Sequence, residues 1–116
     1  MKERSGSEAH GANSPFRRKL RKGLRWLREG RTDLAVPVLT RLHTQAPDHL
    51  QAHQAAATAL LRDGQTAAAL EMFNLVLERH PQDAHALQGR GLCLHALGRR
   101  LDALDAFRQA VITDPL

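Results

Sequence analysis

Apolar residues recur along this chain at spacings of three and four, and strict alternation of apolar and polar positions is absent. Such spacing puts apolar side chains on one face of an α-helix, whereas alternation would indicate strands. The pattern predicts helices at residues 15–29, 33–46, 48–63, 66–80, 83–97 and 100–113. The start signals of the first three are Ser14-Pro15, Thr32-Asp33 and Asp48, and Pro37 is expected in the first turn of its helix. Residues 1–13, a polar and basic tail, are expected to be disordered.

The pattern repeats three times with a period of 34 residues, in columns of small, large apolar and helix-ending residues. The columns include Gly23/Ala57/Gly91, Trp26/Leu60/Leu94, Gly30/Gly64/Gly98, Ala35/Ala69/Ala103, Leu39/Phe73/Phe107 and Pro47/Pro81/Pro115. The glycine column suits the left-handed residue that ends a first helix, and the proline column ends a second helix. Each unit is therefore predicted to be a pair of helices.

These columns resemble the tetratricopeptide repeat family, whose units are helix-turn-helix pairs of this length. The family's succession of Ala, an aromatic residue and Pro is present as Ala69-Phe73-Pro81 and Ala103-Phe107-Pro115. Its Leu-Gly pair is less well matched, by Lys22-Gly23, Ala56-Ala57 and Arg90-Gly91. The resemblance implies an all-α domain at residues 14–116. Within it, units at about 16–49, 50–83 and 84–116 would form a right-handed superhelical solenoid of three antiparallel helix pairs.

The resemblance also implies a concave groove, lined by the first helix of each unit, that binds a peptide or helix of a partner protein. Helical geometry selects the expected lining residues. They are Arg17, Leu20, Leu24 and Arg28 in unit one, Gln51, Gln54, Thr58, Leu61 and Arg62 in unit two, and His85, Gln88, Leu92 and His95 in unit three. The alternative is a solvated inner surface without a selected partner.

One subtype of the family binds the acidic tails of chaperones through a two-carboxylate clamp of Lys, Asn and Arg residues. The corresponding positions in this chain hold Leu20, Leu24, Ala55, His85 and Gly89. None of them can supply the clamp, so the resemblance does not extend to capture of a chaperone tail.

The charge of the chain is concentrated at one end. Its 116 residues suit one domain, and the net charge is +5. Residues 1–30 hold nine basic and three acidic side chains. A basic first helix can contact anionic lipid or nucleic-acid phosphate. However, Arg18, Lys22 and Arg25 align with small residues that face a preceding unit elsewhere, so they are interpreted as a polar cap. Neither nucleic acid nor an anionic membrane is expected as a partner.

Motifs for catalysis, phosphate binding or zinc binding are absent, so neither enzymatic activity nor a cofactor is expected. His49 and His53 have the spacing of metal ligands but no evident third ligand, and no metal is predicted. Cys93 is expected to be a small buried residue. With no apolar run long enough to span a membrane and no secretory signal, a cytoplasmic location is expected. The alternative function is the N-terminal substrate-recognition part of a longer glycosyltransferase-like or sulfotransferase-like enzyme.

The predicted helix 100–113 repeats the apolar pattern of helix 66–80, yet little of the chain follows it. An uncovered apolar face indicates an interface or additional structure. The sequence therefore predicts either a longer array or a homodimer formed through Leu104, Phe107 and Val111.

Overall fold

The computed structural model describes residues 14–114, in which six α-helices and no strand are found. They are α1 (Pro15–Arg28), α2 (Thr32–Gln45), α3 (Leu50–Arg62), α4 (Thr66–Arg79), α5 (Ala84–Ala96) and α6 (Arg100–Thr113). Each lies within two residues of its predicted bounds, and the all-α fold is confirmed. The disordered tail predicted at residues 1–13 and the repeat-ending Pro115 lie outside the described residues.

The first helix of each unit ends in a turn built around a glycine in the left-handed conformation. The φ angles of Gly30, Gly64 and Gly98 are 78°, 86° and 82°. In unit two, the Gly64 amide donates to the Leu61 carbonyl at 3.1 Å, and the Gln65 amide donates to the Leu60 carbonyl at 2.9 Å. The same pair of bonds recurs in the other two units. This Schellman arrangement reverses the chain direction and confirms the role predicted for the glycine column.

The capping residue of α1 is the predicted one, whereas the capping residue of α3 is not. Ser14 caps α1 as expected, since its hydroxyl accepts a hydrogen bond from a backbone amide of the first turn at 3.1 Å. At α3 the cap is His49, whose Nδ1 accepts from the Ala52 amide at 3.2 Å. Asp48 lies one residue too early for this role and instead forms an ion pair with Arg79. The prediction for Asp48 was wrong because an unprotonated imidazole nitrogen can also accept from the first turn.

The start of α2 has no side-chain cap, and Thr32 acts between units instead. Its hydroxyl donates to Oδ1 of Asp63 at 2.9 Å, joining the turn of unit one to that of unit two. Pro37 lies inside α2, beyond the first turn in which it was expected. Because Pro37 and Asp33 are both exposed, the Asp33 carbonyl that loses its helical donor can be solvated.

Within a unit, a large residue of the second helix lies over a small residue of the first. A Cβ atom on Gly23 would lie 2.7 Å from Cδ2 of Leu39, and one on Gly91 would lie 2.6 Å from Cε1 of Phe107. Real Cβ atoms do not approach neighbours this closely. The small column is therefore required by close packing of the two helices, as the sequence predicted.

Phe73 extends this packing from one unit to the next. A Cβ atom on Gly89, in α5, would overlap the Phe73 ring, and the ring is 1 % exposed. Phe107 holds the same position in unit three but is only partly buried. No helix of the described residues follows α6 to cover it. Phe73 thus joins two units, whereas Phe107 packs within one.

The stack of units curves toward the first helices. α1 contacts α3, and α3 contacts α5, whereas the second helices α2, α4 and α6 have no direct contact with one another in the described structure. The first helices therefore lie on the inner side of the curve, where the groove was predicted.

The outer face of α1 is polar. Arg18, Lys22 and Arg25 are exposed, and Nζ of Lys22 lies 5.2 Å from the centroid of the Trp26 ring. That position favours a cation–π contact, which shields one face of the indole. The repeat equivalents Ala52, Ala56 and Ala59 are fully buried. Charge at the start of the solenoid thus replaces the small residues that interior units need for stacking.

Replacement of Phe73 by Ala tests the joint between units. We expect Phe73→Ala to lower the free energy of unfolding by about 3–5 kcal/mol, because a buried ring is removed from a tight contact. The matched control is Phe107→Ala at the equivalent but partly exposed position, which should cost about 1–2 kcal/mol. Urea unfolding followed by circular dichroism measures both, and equal losses would show that Phe73 does not join the units.

Candidate functional site

The inner side of the solenoid carries a shallow depression of about 170 Å³. All the residues that line it come from the first helices of the three units, namely Leu24, Leu27, Gln51, Gln54, Ala55, Thr58 and His85. Five of the predicted lining residues meet here: Leu24, Gln51, Gln54, Thr58 and His85. The depression combines an apolar floor with amide, hydroxyl and imidazole groups.

Leu20 does not lie on this surface. It is 2 % exposed and belongs to a core cluster with Phe16, Leu27 and Leu39. Leu20 follows Phe16 by four residues, so the two share the helix face that packs against α2 and α3. The prediction that Leu20 lines the groove is therefore corrected: its side chain lies beneath the surface.

The remaining predicted residues lie away from the depression. Arg62 is nearest, since its Nη1 donates to the Leu27 carbonyl at 3.4 Å. Gln88 lies farther along the inner side, toward α6. Arg17 and Leu61 are half-buried, and Arg28, Leu92 and His95 are exposed, and none of these five lines the depression.

Leu27 and Ala55 line the depression although the sequence did not assign them to it. Leu27 is 7 % exposed, and this small exposed part borders the depression. The sequence does contain a signal for Ala55, because it aligns with Gly89, which lies under Phe73, and both positions hold small buried residues. Small residues there keep the floor of the groove low.

Two larger depressions adjoin the central one. Gln51 also lines a depression of about 720 Å³ between Phe16 and the α2–α3 connection. His85 also lines one of about 370 Å³ beside Gln88 and Phe107. Gln51 therefore lies between the first two depressions, and His85 lies between the last two. This inner surface, from Phe16 to Phe107, is called the inner groove below.

Asp83 holds the centre of the inner groove in place. Its Oδ1 accepts from the Ala86 amide at 2.9 Å and so caps α5. Its Oδ2 accepts from Nε2 of Gln54 at 2.6 Å. The carboxylate therefore fixes the amide of Gln54 and ties α3 to the start of α5. Gln54 is presented in one orientation, with its carbonyl oxygen left for another donor.

A pair of stacked histidines lies outside the groove, between α2 and α3. The rings of His43 and His53 have centroids 4.1 Å apart at an angle of 30°. Nδ1 of His43 and Nε2 of His53 are buried without a hydrogen-bond partner. Burial lowers the pKa of His53 to about 4, assisted by the neighbouring His43 and Arg79 and opposed by the Met72 carbonyl. Burial also lowers the pKa of His43. This pair therefore packs in the neutral form.

The histidine pair predicts a loss of stability in mild acid. The unfolded chain protonates His53 near pH 6.5, whereas the folded chain protonates it only at about pH 4. Between these values the unfolded state binds more protons, so stability present at neutral pH is lost as the pH falls. We expect the free energy of unfolding to drop by about 2 kcal/mol from about pH 7 to about pH 4.5.

Urea unfolding across this pH range measures that loss. His53→Phe should retain the stacked packing and remove most of the pH dependence between neutral pH and mild acid. His95→Gln, which replaces an exposed histidine of unit three, is the matched control and should retain it. A pH dependence that survives in His53→Phe would contradict the assignment.

Reactive chemistry is sparse in the described part of the chain. Cys93 is fully buried, and burial raises the pKa of its thiol to about 11, so it packs as a neutral group as predicted. His49 and His53 serve different purposes, the first as a helix cap and the second in the stacked pair. Residues 14–114 contain no group of three His, Cys, Asp or Glu side chains that could hold a metal ion.

Comparison with known sequences gave one family match. A sequence model of the tetratricopeptide repeat matches residues 27–93, which is more than half of the chain. No curated protein matches the sequence. None of the described helices has the length and apolarity needed to cross a membrane.

Several solved structures have the same fold. YrrB, a TPR protein with an unusual peptide-binding site, matches 84 % of this chain and 50 % of its own, with a TM-score of 0.79 and 24 % identity. MamA from AMB-1 matches 84 % of this chain and 57 % of its own, with a TM-score of 0.78 and 24 % identity. A double mutant of MamA from RS-1 matches 84 % and 55 %, with a TM-score of 0.75 and 26 % identity. The chain spans about half the length of these proteins.

Proposed function

Because the chain belongs to the tetratricopeptide repeat family, we propose that it is a non-catalytic protein-interaction module whose inner groove binds an extended peptide of a partner protein. The observation that carries the proposal is the row of three neighbouring depressions, which the residues of all three units line. The proposal places the protein in the cytoplasm, in keeping with its single, buried and unpaired thiol.

The shape of the inner groove favours a peptide over a compact ligand. The central depression of about 170 Å³ is small for a drug-sized molecule, and larger depressions open on both sides of it. A peptide in extended form could follow this path and place successive side chains in the three depressions. The similar fold of YrrB, a TPR protein with an unusual peptide-binding site, supports this use of the architecture.

The side chains of the inner groove suit a peptide backbone. Gln51, Gln54 and Gln88 each carry a donor and an acceptor, which can pair with the carbonyl and amide groups of a bound chain. Gln54 is already oriented by Asp83, so less conformational freedom is lost when it pairs. Leu24 and Leu27 supply an apolar floor for one peptide side chain. Arg62, beside that floor, favours an acidic peptide residue.

Selection from a display library of random linear peptides tests this function. We expect enrichment of peptides that bind the purified protein in solution. In NMR titrations with such a peptide, the amides of Gln54, Thr58 and His85 should shift. Those of Glu71 and Glu78, on α4, should not. Absence of any enriched peptide, or shifts confined to α4, would contradict the proposal.

A charge reversal at Arg62, beside the inner groove, provides a sharper test. Arg62→Glu should weaken an enriched peptide carrying an acidic residue by about tenfold or more, through repulsion of that residue. The matched control is Arg41→Glu, the same change at an exposed position on the second helix of unit one, which should bind as the parent does. Isothermal titration calorimetry measures both affinities. Binding confined to α1 and abolished by salt would instead favour a polyanion.

A further inference from the structure

The last helix exposes apolar side chains whose repeat equivalents are covered. In α6, Leu104 is 43 % exposed and Val111 is 61 % exposed. At the same positions of α4, Leu70 and Leu77 are partly buried against the core of the second and third units. Leu101 and Ile112, also in α6, are 80 % and 79 % exposed. An apolar surface of this kind on a short helix indicates a contact with another chain.

Along α6 and its C-terminal cap Asp114, the exposed residues and the partly buried Phe107 form a stripe with a charge at each end. Arg100, Leu104, Phe107, Val111 and Asp114 follow one another at spacings of four, three, four and three. This is the spacing of a coiled-coil seam, in which every member faces the same partner helix. Within the described residues, neither Arg100 nor Asp114 takes part in a salt bridge. We call these five residues the α6 stripe. Phe107, Val111 and Asp114 also line the depression at the α6 end of the inner groove, so a second copy seated on the stripe would cover that depression and leave the other two open.

We propose that the α6 stripe pairs with the α6 stripe of a second copy of this chain, antiparallel about a two-fold axis at Phe107. In that arrangement Leu104 of one copy lies beside Val111 of the other. Arg100 lies level with Asp114, so each end of the interface gains an ion pair. The Arg100–Asp114 pair is centred on Phe107, and the Leu104–Val111 pair is centred half a residue from it, which suits a two-fold axis beside the Phe107 ring.

Charge selects the antiparallel orientation. A parallel pair of stripes would bring Arg100 against Arg100 and Asp114 against Asp114, and like charges at an apolar seam are unfavourable. The antiparallel pair joins opposite charges at both ends of the interface. The same residues therefore favour one orientation and disfavour the other.

Charge also disfavours stacking of one copy on the end of another. Such stacking would place the outer face of α1 against α6, in the way that α5 packs on α4. The outer face of α1 carries Arg18, Lys22 and Arg25 where the interior units have alanine or other small residues. The free-energy penalty of burying these unpaired cations on the α6 stripe would exceed the gain from the apolar contact. The two-fold pairing leaves α1 in solvent.

Light scattering during size-exclusion chromatography of the full chain tests the pairing. Over a dilution series, the mass should rise from 12.9 kDa toward twice that value as concentration increases. Arg100→Glu and Asp114→Lys should each raise the dissociation constant of the dimer by about tenfold or more, through repulsion at both ends. The variant that carries both substitutions should return the dissociation constant of the dimer to the parent value, because the reversed charges form ion pairs again.

The matched control is Arg108→Glu, the same charge change on the same helix but outside the α6 stripe, and it should dimerise as the parent does. Circular dichroism of every variant checks that the helices remain intact. A dimer that tolerates Arg100→Glu and Asp114→Lys would overturn the antiparallel pairing. If the chain stays monomeric at the highest concentration, the proposal that a second copy covers the α6 stripe is wrong. The α6 stripe would then be assigned to a partner protein or to a further helix of a longer chain.

Discussion

The contact between a large residue of one helix and a small residue of the next controls this structure. The ring of Phe73 occupies the space in which a side chain on Gly89 would begin, and it is almost fully buried there. Leu39 and Phe107 make the corresponding contact with Gly23 and Gly91. Since no single unit can bury its apolar face, the contact between Phe73 and Gly89 holds units two and three in register, whereas the contacts of Leu39 and Phe107 join the two helices of one unit.

The curvature and the proposed binding surface follow from this packing. The first helices approach one another closely because they carry small residues, whereas the second helices carry the large ones and stay apart. Leu24, Leu27 and Ala55 form the apolar floor of the central depression, and longer polar side chains such as Gln51 and His85 line it. At α6 the same packing ends without a covering helix, which leaves the α6 stripe exposed.

The sequence predicted the helices, the glycine turns and the packing columns because each depends on local geometry repeated three times. It predicted the inner groove only in part. Helical spacing alone could not fix the rotation of α1, so Leu20 was assigned to the surface although it lies in the core. The stacking of His43 on His53 could not be predicted either. It depends on how two helices cross, which helical spacing within one helix does not fix.

A double-mutant cycle between Phe73 and Gly89 tests the central contact most directly. Gly89→Ala should destabilise the protein, because the added methyl group overlaps the Phe73 ring. In a Phe73→Leu background the smaller side chain leaves room, so Gly89→Ala should cost at least about 1 kcal/mol less than it does in the parent. Urea unfolding of the four proteins gives this coupling energy. Strictly additive losses would contradict the account, since they would mean that the two residues do not share one space.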